Sequence, residues 1–171
     1  MPGNSIEIEG LDEVQAVLQR LRNFGTNVRP LLAEAGNIIA NATEQAFEDE
    51  GPGWRPLAVR TYHMSYRGKT HTQRGKVTRG FERYLANRAI LQKSGRLRNS
   101  ITVRATNTEV TVGTNLPYAA IHQFGGKAGR GRKVKIAARP YLPIAGNTLR
   151  GDVLAEITNY IADKAVEVFE K

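Results

Sequence analysis

The hydrophobic period of this 171-residue chain changes twice along its length, and that change narrows the folds open to it. Val14, Val17, Leu18, Leu21 and Phe24 recur at three and four residues. Leu31, Ala35, Ile38 and Ala42 do the same, with Leu32, Ile39 and Ala46 on the adjoining edge. Each set is the buried stripe of an amphipathic helix. Leu149, Val153, Ile157, Tyr160, Ile161 and Val168 make a third stripe, opposite Asp152, Glu156, Asp163, Glu167 and Glu170. Between them the period drops to two. Residues Ile101 to Ala105 and Glu109 to Val112 alternate on either side of the turn Thr106-Asn107-Thr108, the pattern of a hairpin with one apolar and one threonine-rich face. Ser5 to Glu9 also alternates, and Val134 and Ile136 alternate with Lys133 and Lys135.

These blocks predict an α+β fold: a small antiparallel sheet, made of the hairpin 101–113 with strands near 5–9 and 133–138, packed against three main helices at 12–24, 28–47 and 148–169, with mobile basic loops. The length suits one domain over 1–171, with an N-terminal helical region over residues 1–50 and a basic arm over residues 60–80. Asp12 and Gln15 resemble a capping box, Pro30 suits a first helical turn, and Asn147 or Thr148 is placed to cap the last helix. Phe81 to Gln92 reads as a further helix with Phe81, Leu85, Ala89 and Ile90 inward, and Ser94 as the cap of one more turn through Leu97 and Arg98. Trp54, after Gly51-Pro52-Gly53, reads as a plug at the edge of the core.

Charge is segregated. Residues 1–50 hold three Lys/Arg against nine Asp/Glu, residues 55–104 thirteen against one, and residues 127–139 six against none, within a net charge of +9. Such a split attracts nucleic acid by counterion release, or drives contact between unlike surfaces of two subunits. The segment 60–83 interleaves Tyr and His with Lys, Arg and Gly without a sustained period, so it predicts a mobile arm that stacks on bases or orders against a neighbouring subunit. Residues 125–135 predict a second, projecting basic loop. The acidic run Glu48-Asp49-Glu50 opposes the dipole of its helix, and is read either as solvated or as facing a basic partner. No run reaches the roughly 18 apolar residues of a membrane span, and the start lacks the features of a signal peptide. The absence of cysteine fits a reducing cytoplasm.

Chemistry is sparse. His122 has Tyr118 one helical turn earlier but no acidic neighbour, His63 and His71 fall in the basic arm, and no metal-ligand spacing occurs. Ser94 and Ser100 lack a base. The acid-poor middle has no carboxylate cluster for a magnesium-dependent nuclease. Gly113 and Gly125-Gly126 lack the lysine of a phosphate loop, and Arg139 reads either as a phosphate contact or as the partner of an acidic helix end. The site inventory therefore predicts no catalytic, cofactor or metal residues.

The densest stretch is Val112 to Gly126. Gly113 ends the hairpin, Asn115 reads as a helix cap, Pro117 enters the first turn, and Tyr118, Ile121 and Phe124 share a face before Gly125 stops the helix. Together with Gly53-Trp54-Arg55-Pro56-Leu57, Ile90-Leu91, Ser94-Gly95, Leu97 and Arg139-Pro140-Tyr141-Leu142, this stretch resembles the phage virion morphogenesis family, the tail completion proteins of contractile-tailed phages related to Mu. The resemblance runs from about Gly53 to the C-terminus. It implies a structural, non-catalytic protein of the virion, found in the tail or neck and in the host cytoplasm during assembly, that completes the tail and takes part in head–tail joining. The alternative from charge alone is a basic nucleic-acid-binding module. Implied partners are further copies in a ring, the tail tube, a tail terminator or head connector protein, and phage DNA contacted non-specifically. Motif positions are Trp54, Leu57, Gly95, Leu97, Gly113, Tyr118, Ile121, His122, Phe124, Gly125, Arg139, Pro140 and Leu142. Of these, Trp54, Leu57, Leu97, Tyr118, Ile121, Phe124 and Leu142 are assigned to the core. Partner contacts are assigned to Arg67, Lys69, Arg74 and Lys76 on one arm and to Lys127, Arg130, Arg132 and Lys133 on the other.

Overall fold

The computed structural model describes residues 8–23, 27–51 and 53–170. Three amphipathic helices form where the 3.6-residue period occurs: α1 (Asp12–Asn23), α2 (Arg29–Glu48) and a C-terminal helix spanning Gly151–Phe169. Their stripes meet in one core, in which Leu18, Leu21, Leu31, Leu32, Ile38, Val153, Ile157 and Ile161 are buried together. The last helix starts later than its apolar pattern implies. Thr148 and Leu149 instead pair with Ile144 and Ala145, and Thr148 Oγ1 donates to the Ala145 carbonyl rather than capping the helix.

The other face of α2 rests on the hairpin of β1 (Thr102–Ala105) and β2 (Val110–Gly113). In its antiparallel register Val103 lies opposite Val112 and Ala105 opposite Val110, so these four share one face, as the alternation requires. Gly36 of α2 makes the close approach possible, since a β-carbon there would run into the side chains of Val103 and Val110. Thr106 Oγ1 closes the hairpin turn by accepting the amides of Thr108 and Glu109.

Phe47, in the last turn of α2, joins a second core with Trp54, Ile90, Leu97, Ala119 and Tyr141. Its ring meets Trp54 edge-on at 5.9 Å and stacks on Tyr141 at 5.4 Å. Arg98 Nη2 reaches both Glu44 (2.6 Å) and Glu48 (2.7 Å), which places a cation over the carbonyl end of α2. Glu50 accepts the Ile90 amide, and Asp49 accepts from Gln45. The acidic run is thus tied down within the chain, with Glu48 held by the same Arg98 that holds Glu44.

The segment 60–83 is not the loose arm its composition suggests. α3 (Val59–Ser65) and α4 (Arg79–Ala86) fold back on each other, bridged by a pairing of His71 with Val77. Phe81 is buried between them, with His63 at 4.9 Å and Tyr66 at 5.2 Å, and Tyr66 meets Tyr84 at 5.0 Å. The aromatics read as base-stacking residues therefore stack on one another. No single period marks this knot because it is built from two short helices and a turn. α4 also stops at Ala86, short of Gln92, and Leu85 faces outward. The helical turn expected from Ser94 is a 3-10 turn at Arg98–Ser100.

The remaining elements are α5 (Ala119–Phe124), β3 (Gly126–Ala128), β4 (Val134–Ile136), β5 (Ile144–Ala145), β6 (Thr148–Leu149) and the C-terminal helix, α6. Among the described residues the strands form three separate antiparallel pairs, β1-β2, β3-β4 and β5-β6, rather than one sheet. β4 turns back on β3 across the short basic loop between them and pairs with it alone, apart from β1-β2. Of the strand expected near 5–9, residues 5–7 lie outside the described residues, and the Glu9 amide donates to the Asn147 carbonyl.

Candidate interaction surface

Three motif blocks that are far apart in sequence are clamped together by buried polar side chains. Gln123 of α5 is almost wholly buried, and its Oε1 accepts the amides of Tyr141 (2.9 Å) and Leu142 (3.0 Å) while Nε2 donates to the Leu142 carbonyl (3.4 Å). The side chain takes the place of a neighbouring strand for an extended segment that has none. Arg139 is 9% exposed and donates through Nε (3.2 Å) and Nη2 (2.9 Å) to the Arg55 carbonyl, while its own amide donates to the His122 carbonyl at 2.7 Å. Trp54 Nε1 donates to the Pro140 carbonyl at 2.8 Å. This geometry corrects both roles that the sequence suggests for Arg139. Its guanidinium is buried and committed to a backbone carbonyl inside the fold, which leaves little of it open to a phosphate, and it pairs with no acid among the described residues.

Gly125 completes the clamp. It has φ +71°, and a β-carbon on it would lie 2.8 Å from the Ala138 nitrogen and 3.0 Å from the Ile136 carbonyl oxygen. Only glycine fits there without moving backbone. Gly51 plays the same role beneath the Trp54 indole, at φ +73°.

α5 is oriented differently from its apolar spacing. Ala119 and Gln123 face inward, whereas Phe124 is 55% and Tyr118 37% exposed. Those two core assignments are therefore wrong. In a helix of six residues the buried face is fixed by what its ends are tied to, and Gln123 is tied to 141–142. Ile121, Leu57 and Leu142 are half-buried, and Trp54 and Leu97 are buried as expected. Asn115 is exposed and does not cap α5. Thr114 Oγ1 accepts the Leu116 amide instead and lies 2.6 Å from Ser100 Oγ. The half-buried His122 packs edge-on to Tyr118 at 6.0 Å, with Nδ1 buried and without a hydrogen-bond partner. Burial, and then the charge of Arg139, hold its imidazolium form below the usual histidine range. Burial likewise pushes the Tyr141 phenol up to about 12.

The cations lie on the outside. Arg67, Lys69, Arg74 and Lys76 are exposed around the knot of α3 and α4, and Lys127, Arg130, Arg132 and Lys133 are exposed on the β3-β4 hairpin. Gly95 takes φ +66°, Gly113 ends β2 opposite Thr102, and Pro140 offers its carbonyl to Trp54. Among the described residues no group of three or more His, Asp or Glu comes together in a way that would hold a metal ion. Sequence reasoning missed Gln123, Gln92 and Arg98. Gln92 donates to the Phe47 carbonyl, and only the Glu44/Glu48 spacing of one helical turn hinted that a cation would be needed there.

The sequence profile described as the phage virion morphogenesis family matches residues 10–164. The chain is also 36% identical over 156 residues to a protein of Haemophilus influenzae named Mu-like prophage FluMu G protein 2, covering 91% of this chain and 94% of that one. No solved structure matches it.

Proposed function

The chain belongs to the phage virion morphogenesis family, and on that premise we propose that it completes the phage tail and takes part in joining tail to head. It acts through subunit contacts and not by catalysis. The observation that carries this reading is the division of labour among the motif residues. Trp54, Gln123, Arg139 and Tyr141 are occupied in holding the second core together, while the exposed cations and the exposed Tyr118 and Phe124 are displayed on the elements that this core supports. Convergent buried polar groups serve backbone here, which is how a scaffold uses them and not how an active site does. Basic segments exposed on α3, α4 and the β3-β4 hairpin, and acids exposed on the terminal helices, suit repeated unlike contacts, which close into a ring when the rotation permits. The tail tube, a tail terminator and a head connector protein are the neighbours this role requires. Electron microscopy of particles assembled without the chain tests the reading: separate heads and tails are expected, and normally joined particles would overturn it.

The charge also favours a second reading, a module that binds nucleic acid. Thirteen Lys/Arg against one acid over residues 55–104 would hold duplex DNA weakly. Binding measured across a salt series separates the two. Sequence-selective nanomolar affinity at physiological salt supports the DNA reading, and weak salt-labile binding reports charge alone.

A further inference from the structure

A cavity of about 530 Å³ opens between α4 and the segment 87–93, lined by Arg83, Tyr84, Asn87, Arg88 and Lys93 among others. Arg88 is half-buried in it. Its guanidinium lies 5.4 Å from the centroid of the Tyr84 ring, and Nη1 donates to the Tyr84 hydroxyl at 2.6 Å. Ser65 Oγ donates to the Thr61 carbonyl and lies 2.6 Å from that same hydroxyl. With the serine proton committed, Tyr84 donates to Ser65 and accepts from Arg88. The positive charge therefore meets a neutral phenol, and Arg88 Nε is buried with no hydrogen-bond partner. None of the ion pairs among the described residues involves Arg83, Arg88 or Lys93. The one acid in residues 55–104, Glu82, does not line the cavity. A half-buried guanidinium without a counter-anion is costly, and an anion brought to its accessible side offsets that cost. Nε itself is sealed from outside, so the matching chemistry is a carboxylate that meets the accessible part of the half-buried guanidinium together with the exposed Lys93 ammonium.

We propose that this recess receives carboxylates from α6 of a second copy of the chain, with Glu156 and Asp163 as the acceptors. The pairing rests on the subunit contact proposed above and gives it an address. α6 turns Val153, Ile157, Ile161 and Ala165 into the first core and leaves Glu156 and Asp163, two helical turns apart, exposed on its far side. A convex helix bearing acids on short stalks fits a cationic recess. A duplex, whose phosphates lie on a stiff convex surface, meets the exposed cations of the β3-β4 hairpin more readily. Because recess and helix are different surfaces of one chain, the contact is head-to-tail and can repeat.

Sedimentation of the full chain at low and high salt tests the pairing, using Arg88→Glu, the exposed Lys93→Glu, and a Glu156→Lys/Asp163→Lys double variant, each checked for folding by circular dichroism. The wild-type chain should associate at low salt and dissociate at high salt. Each variant should weaken association at least tenfold, and mixing Arg88→Glu with the double variant should restore it. Lys93→Glu carries the test if Arg88→Glu does not fold. A wild-type chain that stays monomeric, association unchanged in the variants, or no recovery on mixing would each overturn the pairing. So would loss of binding to a short DNA duplex in Arg88→Glu with self-association intact, which assigns the recess to phosphate. Failure here with unjoined particles in the absence of the chain removes the pairing and leaves the joining role. Normally joined particles without the chain remove the joining role whatever the sedimentation shows.

Discussion

At the scale of single residues, Gln123 does more than its polarity suggests. Replacing it with alanine leaves the amides of Tyr141 and Leu142 buried without acceptors, at about 1–3 kcal/mol each. The expected outcome for Gln123→Ala is a fall of several kcal/mol in the urea-unfolding free energy, and a loss under about 1 kcal/mol would show that water or another group replaces the amide oxygen. His122 gives the chain a pH dependence of definite sign. Its folded pKa is depressed below 6.5, so the stability it contributes is present above that value and is lost as the pH falls through the folded pKa. Wild-type protein should therefore lose more stability between pH 7 and pH 5 than His122→Gln does. Equal losses would mean that the imidazole protonates freely in the fold. The sequence could not show either role. Nothing in the sequence marks Gln123 for burial, and Tyr118 and Phe124 read as the buried face, because apolar spacing assumes that burial follows hydrophobicity. In α5 the hydrogen bonds to 141–142 decide the orientation, and they involve residues nearly twenty positions away.

At the scale of elements, α1, α2, α6 and the β1-β2 hairpin could be placed from the period of their apolar residues, since each is long or regular enough for the pattern to repeat. The knot of α3 and α4 could not. Its apolar contacts are between rings held on separate short pieces, and Tyr66 packs under Gly68 and Gly80 in a way no local pattern encodes. The seat of α2 on the hairpin offers a test in which two effects oppose each other. Helix propensity alone favours Gly36→Ala by about 1 kcal/mol, whereas the added methyl group collides with Val103 and Val110, and overpacking of this kind costs about 1–3 kcal/mol. The melting temperature of Gly36→Ala should fall, and that of Gly36→Leu should fall further. A rise for the alanine variant would mean that α2 sits farther from the hairpin, with room for the methyl group.

At the scale of the whole molecule, the two cores are joined through α2, which contributes Leu31, Leu32 and Ile38 to one and Phe47 to the other. The first core is bounded by the N- and C-terminal helices and was expected from the sequence. The second is assembled from residues near 47, 54, 90, 97, 119 and 141, a set visible in sequence only as the scattered motif blocks that carry the family resemblance. The motif residues thus report how the scaffold closes, and the exposed cations outside it carry no sequence pattern beyond charge.

The bond from the Trp54 indole to the carbonyl of Pro140 spans 86 positions. A nascent chain leaving the ribosome cannot make that link until more than four-fifths of it has been synthesised. Until then the platform that displays the cationic hairpin stays unfinished, and a half-made polypeptide lacks the closed second core. The order in which the scaffold closes is in this way written into the distance between one tryptophan and one proline.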